Sequence, residues 1–272
     1  MKIKFTGEQN KRILPTSAIL AFVLAAIGTA LRALNLAFFY DADIGYYKSG
    51  APLPIIMNVF FIASVGAFLA VGIISQTHGA YSRSIESPKF LKYPSSFTAI
   101  AFLVFALSDF VAKDSGVLDL VIGVSSLLSA AYFALFFFKK TSEYRALLAL
   151  CPVIWCASVI GITYFDIETQ MNSPHKILLH ITCIACMLYF VSEARVISDR
   201  IKKKTYFFLL FSALFFTAVS SIPSLIFNTF AIESHLSYNA RFFALFVYLA
   251  FRTVSTLTSK EQNNDTALEQ EE

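Results

Sequence analysis

The stretch ILPTSAILAFVLAAIGTALRALNLAFF, residues 13–39, carries a single charge in its whole length, Arg32. A hydrocarbon core of about 30 Å needs about 20 helical residues at 1.5 Å each, and this run exceeds that length. Seven further apolar stretches follow: Pro52 to Ser75, Ser96 to Ala112, Val117 to Phe138, Tyr144 to Phe165, Lys176 to Ser198, Thr205 to Phe227 and Tyr238 to Thr258. Backbone groups that face lipid must bond within their own segment, which forces helix. The reading is an all-α, polytopic integral membrane bundle of eight transmembrane helices. Composition agrees, since 57% of the 272 residues are hydrophobic and only 15% charged, too few to clothe a soluble fold. The third stretch is short and ends at Asp109, and only Lys113 to Gly116 separate it from the fourth, which predicts a tight hairpin.

Basic residues alternate between the connecting loops. Lys48, Lys113, Lys176 and Arg241 stand singly in one set, whereas Arg83, Lys89 and Lys92, then Lys139, Lys140 and Arg145, then Arg195, Arg200, Lys202, Lys203 and Lys204 crowd the other. By the positive-inside rule both termini are cytoplasmic, and a wrong span count would scramble that parity. Lys11 and Arg12 ahead of an apolar run resemble a signal peptide, but the run continues past Arg32 to Phe39, so it is read as an uncleaved span. The chain then divides into a basic cytoplasmic segment (1–12), one membrane domain (13–258) and an acidic, disordered cytoplasmic tail (259–272). The aromatics Phe39, Tyr40, Tyr46, Tyr47, Tyr164 and Tyr238 on one side, and Tyr81, Phe90, Tyr93, Tyr144 and Tyr206 on the other, fit two membrane interfaces in the cell membrane.

The net charge of +4 follows from residues placed beside spans, which points to a lipid bilayer as the partner and not to nucleic acid. The basic loop from Arg195 to Lys204 offers a docking surface for a cytoplasmic partner.

Ionisable groups inside a span are costly, so each is a functional candidate. Arg32, Asp109 and Asp119 all fall on the external half, and they are expected to line a vestibule for a small solute, with Arg32 within reach of either carboxylate. An interhelical ion pair that fixes packing is the competing account. In the polar connection from Phe165 to Lys176, Asp166, Glu168 and His175 have loose metal-ligand character and His180 lies just below, but His175 and His180 are five apart and do not share a helix face. Pro174 with Ser173 ahead of it reads as a helix start.

Cys183, Cys186, Tyr189 and Glu193 form one stripe, and Cys156 on the preceding span can approach Cys186. Cysteines in apolar helix are expected as packing residues, with neither a disulfide nor a metal. Glu193 is expected to pair with Arg195, Arg145 or Arg252. Pro152 and Pro223 should distort their helices, and Pro223 should free backbone carbonyls. Ala63, Gly66, Ala70, Gly72, Ala157 and Gly161 are read as close-approach positions.

Zinc-peptidase, serine-hydrolase, Walker and dinucleotide motifs do not occur, so no catalytic residue, metal ligand or cofactor is assigned. The functional reading is a transporter-like or sensor-like protein with an external polar site at Arg32, Asp109, Asp119 and His180. The alternatives are an assembly or interaction subunit and a membrane enzyme acting on a lipid or glycan.

Overall fold

A computed structural model describes residues 7–41, 44–74, 91–111, 117–136, 144–166, 172–198, 203–227 and 236–268. Among them are helices α1 (Gly7–Phe38), α2 (Pro52–Ile74), α3 (Lys92–Val111), α4 (Val117–Ala134), α5 (Tyr144–Leu148), α6 (Cys151–Phe165), α7 (Pro174–Ile197), α8 (Lys203–Phe227) and α9 (Leu236–Leu268). The chain is an all-α bundle, and six of its apolar helical segments are long enough to cross a membrane. The segment Tyr144–Phe165, counted as one of the six, combines α5 and α6. The apolar part of α4, Asp119–Ala134, is shorter, and α9 carries Arg241 and Arg252 within its apolar stretch. Glu168, Tyr81, Phe90, Arg83, Lys89, Arg200 and Lys202 lie outside the described residues.

Six helices close a ring in the order α3, α4, α6, α7, α8, α9, with α9 returning to α3; α1 and α2 pack on α8. This explains why 83% of the apolar window of α8 is buried against 28% for α2 and α3, whose remaining faces stay apolar and exposed. Cross-helix bonds define two ends. At the Arg32 end the last turns of α1 and α8 meet the first turn of α7, through Arg32, Ser224 and His175. At the Glu193 end the last turns of α7 meet the start of α8 and the middle of α9, through Glu193, Tyr206 and Arg252.

Two sequence signals for helix boundaries hold. Ser173 caps α7, its side chain accepting from the backbone N–H of Lys176 at 3.3 Å, with Pro174 in the first turn. Pro152 stands where the fifth stretch breaks into α5 and α6, since it has no N–H to return to the carbonyl of Leu148. Other boundaries differ. α1 begins at Gly7, ahead of Ile13, and α9 continues in helix to Leu268 through a segment expected to lack structure. The strong helix formers Lys260, Glu261, Gln262, Ala267 and Leu268 lie in that extension.

A short antiparallel hairpin, β1 (Tyr40–Asp41) and β2 (Tyr46–Tyr47), follows α1 and pairs Tyr40 with Tyr47. Gly45, at a φ of +75°, makes its turn.

Two of the glycines expected at close approaches are open, and Gly28 makes one instead. A Cβ on Gly66 or Gly161 would meet nothing within 4 Å, whereas one on Gly28 would lie 2.9 Å from Phe215 and Val219. Phe215 is itself held between Phe61 and Phe68, so Gly28 is what lets α1 seat on α8.

Candidate functional site

Arg32 is buried at 2% exposure, and its contacts lie on α7, α8 and the hairpin. One guanidinium nitrogen, Nη1, donates to the carbonyl of Val219 at 2.6 Å and to that of Ser220. The other, Nη2, donates to Ser224 Oγ at 2.9 Å and to His175 Nδ1 at 3.2 Å. Arginine has no acceptor, so His175 Nδ1 must accept and the imidazole proton resides on Nε2. Val219 is four residues before Pro223, which has no N–H to give it, so Arg32 supplies the missing hydrogen bond.

All four terminal N–H groups are thereby occupied, and Tyr47 adds a further hydrogen bond. Burial pushes the phenols of Tyr47 and Tyr40 up from their ordinary pKa, and the Arg32 cation draws both part of the way back. Arg32 is a pin for the broken helix, with no terminal donor left for a solute. Its expected partnership with Asp109 or Asp119 is not found among its contacts, because α1 packs on α8 and α2 while Asp109 faces α9 across the ring.

Asp109 pairs instead with Arg241, which is fully buried, while the Asp109 side chain keeps 15% exposure. The Arg241 guanidinium carbon lies 5.6 Å from the ring centres of both Phe105 and Trp155. Among the described residues, Arg241 Nε and Nη1, Trp155 Nε1 and Asn239 Oδ1 are buried without a hydrogen-bond partner. Asp119 and Tyr238 stand within electrostatic reach of Asp109, so the two expected carboxylates do gather at one place. Charge parity groups Arg241 with the loop residues, yet it falls inside the apolar stretch Tyr238 to Thr258 and directly before the run Phe242 to Val247, and in the structure it lies within α9.

His180 belongs to neither cluster. Its Nε2 bonds Thr163 Oγ1 at 2.8 Å and ties α7 to α6. Lys176 Nζ donates to the backbone carbonyl of Asp166 at 3.0 Å. The four cysteines are buried free thiols, and Cys156 sits beside Cys183 and Cys186 as the helix stripe allows. Among the described residues no group of three His, Cys, Asp or Glu side chains is placed to hold a metal.

At the Glu193 end the carboxylate is buried and fully engaged. Arg252 Nη2 donates to Oε1 at 2.6 Å, while Tyr206 and Tyr189 donate to Oε2 at 2.8 and 3.2 Å. Of the three arginines expected as partners, Arg252 is the one paired. Arg145, carried on the short α5 created by the Pro152 break, stacks its guanidinium on Phe136 at 3.8 Å from the ring centre.

Rings in contact join the two ends. Trp155 meets Phe102 at 5.0 Å, Phe102 meets Phe133 at 5.7 Å, Phe133 meets Tyr248 at 5.0 Å, and Tyr248 meets Phe136 at 5.7 Å. These rings come from α3, α4, α6 and α9 and fill the middle of the helix ring with tilted and edge-on contacts. The column begins under Arg241 and finishes under Arg145. Sequence reasoning had no means of finding it, because its members are ordinary apolar aromatics on four separate helices.

No family model, curated protein or solved structure matches the chain.

Proposed function

We propose that the chain is an eight-span membrane protein of transporter or sensor type with both termini in the cytoplasm, and that it receives a small polar solute at the Asp109–Arg241 pair. The positive-inside rule then puts the Arg32 end outside and the Glu193 end at the cytoplasm. The observation that supports a solute site is the buried guanidinium of Arg241, whose Nε and Nη1 have no acceptor among the described residues, beside a carboxylate that keeps 15% exposure. Unmet buried donors cost about 1–3 kcal/mol each, so a solute bearing a carbonyl or carboxylate gains by entering. The aromatic column closes the path below it, as expected of a binding site that opens to one side at a time.

Membership of the site changes accordingly. Asp109 and Asp119 stay, Arg241 and Tyr238 join them, Arg32 becomes a support for the helix that borders it, and His180 becomes a packing contact.

Two measurements test the proposal. Reporter fusions after Lys260 should read cytoplasmic and fusions within Asp41 to Gly50 external; the opposite pattern reverses the orientation. In thermal unfolding of the purified protein, a panel of small carboxylates, amides and polyols should contain a member that raises Tm saturably. The same solute should have no effect on the Asp109→Asn/Arg241→Gln variant, which loses both charges together and leaves neither bare. Equal shifts in the two proteins across the panel would remove the site.

A further inference from the structure

We propose that the cluster at the Glu193 end is a second binding site, for a singly charged oxyanion group: a carboxylate or a phosphodiester. The assignment does not depend on transport or on the Asp109–Arg241 site. It starts from charge. Arg145 and Arg252 are buried to 8% and 1% exposure, and Glu193 is the buried carboxylate beside them. Glu193 is already shared among Arg252, Tyr189 and Tyr206, and the two ion pairs among the described residues do not include Arg145. The Phe136 face offsets part of the cost of that cation, but a ring quadrupole does not neutralise it. Among the described residues one positive charge is therefore left over in an apolar interior.

The second observation is the set of unmet donors. Among the described residues, Arg145 Nε and Arg252 Nε are buried without a hydrogen-bond partner, and the buried hydroxyls of Tyr132 and Tyr248 lie in reach of each other, so that one of their two protons is left over. They converge. Tyr132 and Tyr248 set their rings edge-on to Phe136 at 5.5 and 5.7 Å, the same ring that carries the Arg145 guanidinium on its face. Both hydroxyls also stand within electrostatic reach of Glu193, Arg145 and Arg252, three groups whose charges sum to +1.

Three donors left over around one surplus positive charge call for an acceptor-only group of charge −1 with several lone pairs. A carboxylate meets that description, and so does the phosphodiester of a lipid headgroup. A divalent phosphate would overshoot the charge, and a neutral amide would leave it.

The full-length protein, purified in detergent and stripped of lipid, is titrated with acetate and separately with dimethyl phosphate while Tm is followed. Native mass spectrometry of the undelipidated protein asks whether a phospholipid stays bound at one per chain. A saturable rise in Tm with either probe is expected, with affinity at least about tenfold weaker in Tyr132→Phe/Tyr248→Phe, each lost hydrogen bond to a charged group being worth that much or more. Because that variant removes the two facing hydroxyls together, stranding neither, and keeps both rings, it should be about as stable as wild type without probe, which separates loss of binding from loss of fold. Arg145→Gln should abolish the rise.

Retention of one phospholipid by wild type and its loss from the double variant would identify the headgroup as the source, and an acetate response without retained lipid would identify a free acid. Absence of both a saturable response and a retained anion or lipid in wild type would make the cluster a hydrated packing feature and overturn the proposal. A chloride titration that reproduces the acetate curve would overturn its oxyanion class.

Discussion

Replacing Glu193 with leucine is expected to cost about 3–5 kcal/mol and to prevent folded protein from accumulating, because it leaves the Arg252 guanidinium buried without its partner. The same change strands the hydroxyls of Tyr189 and Tyr206, which both donate to Glu193 Oε2. The expectation is sharpened by a second variant. Glu193→Leu combined with Arg252→Leu removes both charges, and buried ion pairs exchanged for apolar residues of similar volume are often neutral or stabilising. The double variant should therefore recover most of the folded yield that the single variant loses, read as the monodisperse fraction in detergent and as Tm. If the single Glu193→Leu protein unfolds at the wild-type temperature, the pair does not hold α7 to α9. If the double variant fails as badly as the single, the cluster needs its charges for something other than their mutual neutralisation.

That contrast also bears on what a single sequence can and cannot tell. The presence of long apolar helical runs, the capped start of α7 and the break at Pro152 are local properties, each determined by adjacent residues, and each could be read directly. Span ends in the sequence narrow the partner of Glu193 to three arginines, but choosing Arg252 requires knowing that α7 and α9 flank the start of α8. Arg241 shows the same limit: its place inside the stretch Tyr238 to Thr258 is local, but its pairing with Asp109 depends on α9 closing the ring against α3.

The ring order of the helices, which assembles Asp109 with Arg241 and Arg145 with Tyr132 and Tyr248, is a long-range property. Hydrophobic patterning says which faces avoid water, yet in lipid almost every face does, so the pattern that orients a helix in a soluble protein loses its direction here. The polar residues carry the orientation instead. Arg241 and Arg252 are eleven positions apart on α9, about 16 Å along the axis at 1.5 Å per residue, so one helix delivers a guanidinium to each end of the aromatic column.

The relation between Arg32 and Pro223 gives the second large expectation. Arg32→Met should cost about 2–5 kcal/mol, since it leaves the carbonyls of Val219 and Ser220, the Ser224 hydroxyl and His175 Nδ1 without the donor they share. Part of that cost exists because residue 223 has no N–H. In a Pro223→Ala background the backbone can return its own hydrogen bond to Val219, so the same Arg32→Met change should cost about 1–2 kcal/mol less. The measurement is a double-mutant cycle on Tm or on chemical unfolding in mixed micelles, with Pro223→Ala alone expected to change stability little while Arg32 is present. A solute-binding arginine would behave otherwise: its loss would be indifferent to residue 223 and would show in ligand response. Strict additivity of the two substitutions would therefore remove the helix-pin account of Arg32 and restore it as a candidate ligand contact, whereas coupling of the stated size fixes its role in holding the broken turn of α8 that borders the Arg32 end.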